Sequence, residues 1–140
     1  MQIRRAEPSD VPALRDIVNA AYAGYAAQGV ALPDVAGGLG DNQAAGQLWL
    51  AGDPPLGVLA VATTPPHAHL MNVAVAPDAG GKGVGRALIL HAVDTARAAG
   101  CSELRLTTHR LMPDNVALYE HLGWHVTGDE GDKIFMTRLL

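Results

Sequence analysis

Gly80, Gly81, Gly83 and Gly85 crowd into one short window of "VAVAPDAGGKGVGRALI", residues 73–89, between an apolar run and a helical pattern. Without Cβ atoms, consecutive residues can turn their N–H groups toward one point, and an anion can approach them closely. The helix that follows adds unpaired N–H donors and the positive end of its dipole. Lys82 and Arg86 add mobile positive charge. The chemistry this predicts is a diphosphate cradle made of Gly80, Gly81, Lys82, Gly83, Val84, Gly85 and Arg86. The phosphate loop of nucleotide hydrolases would need Ser or Thr after the lysine, and Gly83 stands there. The dinucleotide pattern G-x-G-x-x-G does not fit cleanly either, and the loop lies in mid-chain.

The elements around this loop follow from periodicity. Gln2–Arg5 is a short strand. Pro8, Ser9 and Asp10 start a helix whose apolar face is Val11, Leu14, Ile17, Val18 and Ala21. Tyr22 and Tyr25 lie near its end. Gln28–Gly46 is Gly-rich and reads as loop or frayed helix. Gln47–Ala51 and Leu56–Thr64 form a hairpin, and His69–Val75 is a third apolar strand ending before Pro77. A helix over Val84–Ala99 is ended by Gly100. Glu103–Thr108 is a strand, Asn115–Leu122 a short helix stopped by Gly123, and "WHVTG" and "KIFMTRLL" close the chain as strands. Strand, glycine loop, helix and strand in that order imply a crossover between parallel strands. The fold class is therefore α/β or α+β: a mixed, mostly antiparallel sheet with helices on both faces, in a single domain.

Composition narrows the function. The chain has 140 residues, 49% of them apolar and 4% aromatic, enough for one aliphatic core. A net charge of −4 argues against nucleic acid as the main partner, since phosphate neutralisation needs a basic surface. No apolar run is long enough for a signal core or a membrane span, so a cytoplasmic protein without a membrane partner is expected. Cys101, the one cysteine, reads as a small buried residue. His67 and His69 share a strand face, but no carboxylate or third histidine stands near them in sequence, so no metal is expected.

Two segments resemble the GCN5-related N-acetyltransferase (GNAT) family. Val73, Val75 and Pro77 match that family's strand end, and Gly83 and Gly85 its loop glycines. Gly80 replaces the usual Arg or Gln. Downstream, Asn115, Leu118, Tyr119, Glu120, Gly123 and Trp124 match its final motif. The resemblance covers about half the chain, from Leu70 onward. It implies acetyl-coenzyme A as cofactor, with the diphosphate on Gly80–Arg86 and the pantetheine arm along Asn72, Val73, Ala74 and Val75. It also implies a splay between the strand ending at Val75 and the strand Glu103–Thr108, with a bulge near Asn72.

The implied reaction is direct attack of a primary amine, on a small molecule or peptide, at the thioester. Tyr119 would then protonate the departing thiolate, and Asn115 would hold the cofactor arm. Asn115 is also open to the reading of helix N-cap. The base is the least defined part. His109, His69 and Glu103 are the titratable candidates, and His109 comes first because it follows the flanking strand and histidine titrates near neutrality. Tyr22, Tyr25 and the Gln28–Gly46 segment, with Asp34 and Asp41, stand where the family builds its acceptor wall. The resemblance leaves a homodimer open. The alternatives are a non-catalytic acyl-coenzyme-A-binding sensor and a nucleotide-binding module.

Overall fold

The structure is a computed structural model, and it describes residues 2–29 and 36–140. Its strands are β1 (Ile3–Arg5), β2 (Leu48–Ala51), β3 (Gly57–Thr64), β4 (His67–Val75), β5 (Glu103–His109), β6 (His125–Glu130) and β7 (Lys133–Leu139). The helices are α1 (Val11–Ala27), α2 (Leu39–Ala44), α3 (Val84–Ala98) and α4 (Pro113–His121). The sheet order is β1-β2-β3-β4-β5-β7-β6. β4 and β5 pair parallel, while β1–β2, β2–β3, β5–β7 and β6–β7 pair antiparallel. β3 and β4 are neighbours joined only by Pro65 and Pro66, a link too short for any pairing but antiparallel. The mixed, mostly antiparallel α/β sheet read from the sequence is thus the observed one.

The chain forms two compact units, one of residues 1–61 and 72–92, the other of residues 62–71 and 93–140. In the first, Leu14, Ile17 and Val18 of α1 pack with Leu48, Leu50, Val58, Ala60 and Ala74. β3 alternates away from that cluster at Gly57, where an added Cβ would meet Val84 Cγ1 at 2.7 Å, Leu88 Cδ1 at 2.8 Å and the Ala74 carbonyl oxygen at 3.2 Å. The first turns of α3 therefore seat directly on β3 backbone, and a strand covered on both faces reads as an unbroken apolar run. Gly57→Val is expected to destabilise the fold by at least about 1–3 kcal/mol through overpacking, read as a lower urea midpoint with unchanged slope.

α1 begins differently from the sequence reading. Pro8–Asp10 is a 3-10 turn, and the Asp10 carboxylate accepts the Glu7 N–H at 2.8 Å instead of capping α1. Arg4 clamps the same carboxylate at 2.9 Å. The segment read as loop or frayed helix, Gln28–Gly46, contains a 3-10 turn at Ala36–Gly38 and the whole of α2. Leu39 is fully buried among the α1 residues, and that tertiary contact stabilises a helix whose glycine content argues against it. Residues 30–35 of that segment, with Asp34, lie outside the described residues.

In the second unit, β5 is central. The ladder with β4 covers His67↔Glu103 to His69↔Arg105, while that with β7 covers Glu103↔Leu139 to His109↔Lys133. The Trp124 indole N–H donates to the Leu104 carbonyl at 3.0 Å, which pins the turn after α4 onto β5.

Candidate active site

The glycine loop opens with a 3-10 turn, Pro77–Ala79, closed by the Ala79 N–H donating to the Ala76 carbonyl at 2.8 Å. Gly81 and Gly83 then take φ of +79° and +74°, the left-handed region that side chains with a Cβ avoid. Gly83 starts the helix, its carbonyl accepting the Ala87 N–H at 3.0 Å. Among the described residues, no N–H from Gly80 to Arg86 donates to any protein acceptor. Gly80–Gly83 are exposed. Lys82 and Arg86 are exposed too, and neither pairs with a carboxylate among the described residues. An open run of donors, a helix start and two unneutralised cations make a site chemically matched to a diphosphate.

β4 supplies the strand beside this loop. Val73 and Val75 are half-buried and Ala74 is buried. An added Cβ on Gly85 would sit 3.3 Å from Val75 Cγ2, so α3 starts close against the end of β4. Asn72 is only 6% exposed. Its Oδ1 accepts the Tyr22 hydroxyl at 3.2 Å, and its Nδ2 has no partner among the described residues. A buried donor left unmet costs about 1–3 kcal/mol. Tyr22 and Tyr25 are half-buried on α1, with ring centroids 6.4 Å apart. Burial pushes the Tyr22 phenol above its ordinary value, and Tyr25 adds to the shift, so the hydroxyl keeps its proton and donates it. The sequence separately singled out Tyr22 and Asn72, but their hydrogen bond links positions 22 and 72 and had no local signal.

The final motif lies in the second unit. Tyr119, 6% exposed, stacks edge-on against Trp124 at 5.5 Å, and its carbonyl accepts the Trp124 N–H at 2.9 Å. Asn115 is not the helix cap. The cap position is Met112, Pro113 opens α4, and the Asn115 N–H donates to the Met112 carbonyl at 3.1 Å. The Asn115 carboxamide has no hydrogen-bond partner among the described residues, so it is available to a ligand.

The base candidates differ sharply. His109 is committed to its turn: Nδ1 accepts the Leu111 N–H at 3.0 Å, and Nε2 faces the Asp132 carboxylate at 3.9 Å. A neutral ring bonded this way carries its proton on Nε2 and has no free lone pair. The Glu103 carboxylate takes the Arg105 Nε–H at 2.6 Å, and that bond holds it below the usual carboxylate range. His69 is exposed and lines an open groove of about 600 Å³ with Arg105, Thr137, His125 and Phe135. No group of three or more His, Cys, Asp or Glu among the described residues is placed to hold a metal. No helix among them is long and apolar enough to cross a membrane.

Residues 12–124 match the Acetyltransferase (GNAT) family. The chain belongs to that family. Solved structures agree on the fold. The PaiA N-acetyltransferase of Thermoplasma acidophilum, solved in complex with coenzyme A, is 18% identical over 99% of this chain and 98% of its own, with a TM-score of 0.87. The ribosomal-protein-S18-alanine N-acetyltransferase of Escherichia coli is 24% identical over 99% and 92%, with a TM-score of 0.80. The yncA protein of Salmonella typhimurium, solved with its cofactor acetyl-CoA, is 22% identical over 100% and 94%, with a TM-score of 0.79. In this GNAT chain the backbone of the glycine loop is kept open although Gly80 brings no side chain to it.

Proposed function

We propose that this GNAT protein, acting as one domain, is an N-acetyltransferase that moves an acetyl group from acetyl-coenzyme A to a primary amine of a small molecule or peptide. The observation that carries the reading is the run of open main-chain donors from Gly80 to Arg86 at the start of α3. Acetyl-coenzyme A supplies the activated acyl group. The Gly80, Gly81, Lys82, Gly83, Val84, Gly85 and Arg86 amides, with the Lys82 and Arg86 side chains, hold its diphosphate. Val73, Ala74 and Val75 offer main-chain groups to the pantetheine arm. Asn115 donates to the same arm.

Tyr22 and Tyr25 form part of the acceptor wall and orient the amine. A backbone N–H at Asn72 or Val73 donates to the thioester oxygen as negative charge gathers there. Tyr119 gives its proton to the departing thiolate. The amine proton needs an acceptor. His109 serves only by releasing the Leu111 N–H from Nδ1, and His69 needs no such release, so the proposal puts His69 first and His109 second.

The test is release of free thiol from acetyl-coenzyme A against a panel of small amines and peptide amines. Release with at least one amine class is expected. Tight coenzyme A binding with no release from any class would instead support a non-catalytic sensor. Thermal protection by ATP or NAD in place of coenzyme A would point to a nucleotide-binding module.

A further inference from the structure

We propose that the Asn72 carboxamide is a side-chain donor to the thioester carbonyl oxygen of the bound acyl donor, with Tyr22 as the positioning residue that holds it. This deepens the transferase reading and rests on it. Three observations carry it. Asn72 is 6% exposed and stands in the otherwise apolar stretch "LMNVAV", residues 70–75, where leucine would fill similar volume without a donor to satisfy. Its Oδ1 is occupied by the Tyr22 hydroxyl at 3.2 Å, which fixes the amide plane and presents Nδ2. That Nδ2 has no acceptor among the described residues. Buried polar groups are almost always bonded, so an amide locked on one side and unmet on the other needs an explanation.

Asn72 also opens the part of β4 along which the pantetheine arm is proposed to run. A dry, fixed donor favours an oxygen whose negative charge grows during reaction more than one whose charge is constant. When the amine attacks, its lone pair forms the C–N bond and the C=O π pair moves onto the oxygen. As the C=O bond reforms, the C–S bond breaks, the thiolate leaves with the C–S pair and takes the Tyr119 proton, and the amine proton goes to the base. Asn72 Nδ2–H holds that oxygen throughout and transfers no proton. Tyr22 keeps the amide from rotating.

The test is Asn72→Leu, with Tyr22→Phe beside it. For Asn72→Leu, kcat should fall about 10²- to 10³-fold, as when other side-chain donors to such an oxygen are removed. Affinity for coenzyme A, which lacks the acyl carbonyl, should stay within about threefold. Wild type should bind acetyl-coenzyme A more tightly than coenzyme A, and Asn72→Leu should lose that preference. The carbonyl stretch of bound acetyl-coenzyme A should move to higher frequency in Asn72→Leu, and by less in Tyr22→Phe, a shift that a purely packing role for Tyr22 would not produce.

An unchanged kcat and an unchanged stretch would overturn the proposal and leave Asn72 as the acceptor of the Tyr22 hydroxyl alone. An equal loss of coenzyme A affinity would also overturn it. If wild type binds acetyl-coenzyme A but acetylates no amine, the transferase reading fails, and the affinity and infrared measurements still judge Asn72.

Discussion

Tyr119→Phe is expected to lower kcat by about 10²- to 10⁴-fold, the range for loss of a positioned general acid, while coenzyme A affinity stays near wild type. The Tyr119 ring packs edge-on against Trp124 at 5.5 Å, and its backbone carbonyl, not its side chain, receives the Trp124 N–H. Phenylalanine keeps both. What it removes is the phenolic proton, which the proposed mechanism delivers to the thiolate. Free-thiol release at saturating amine gives kcat, and calorimetric titration with coenzyme A gives the affinity. An unaltered rate would remove Tyr119 from the chemistry and return it to packing.

Replacing Gly81 and Gly83 together by valine should weaken coenzyme A binding roughly a hundredfold. Both residues have φ near +75° to +80°, where a β-branched side chain is a genuine outlier. The loop has to change its dihedrals to accept valine, and the amides of this stretch then turn away from their common point. Two lost hydrogen bonds to an anion are worth about 3 kcal/mol, which is about two decades in Kd. No heavy atom lies within 4 Å of the added Cβ at either position, so the variant has no clash to unfold it. Lys82→Ala, which removes only an exposed charge, should weaken binding by far less, and its deficit against wild type should shrink as salt rises.

These expectations show how much the sequence carried. The glycine clustering before a helix was legible, and the amides of Gly80 to Arg86 donate to no protein acceptor among the described residues. Element types were legible where one period dominated, as in α1 and β4. α2 was not, because "GGLGDNQAAG" has weak helical preference and folds only against Leu14, Ile17 and Val18. His109 looked like a free base because a sequence does not show that its Nδ1 accepts an N–H two residues on. Asn115 was also open to a cap reading because the true cap position is Met112, a residue type that gives no such signal. The Tyr22–Asn72 bond was invisible for a different reason. It depends on α1 and β4 meeting through the fold, and nothing local to either segment records that.

Backbone amide resonances of the ¹⁵N-labelled protein, followed during titration with coenzyme A, test the central claim most directly. The account predicts saturable shifts in the N–H signals of Gly80 to Arg86, with these among the largest in the chain. Saturable binding that leaves those signals unmoved would contradict it.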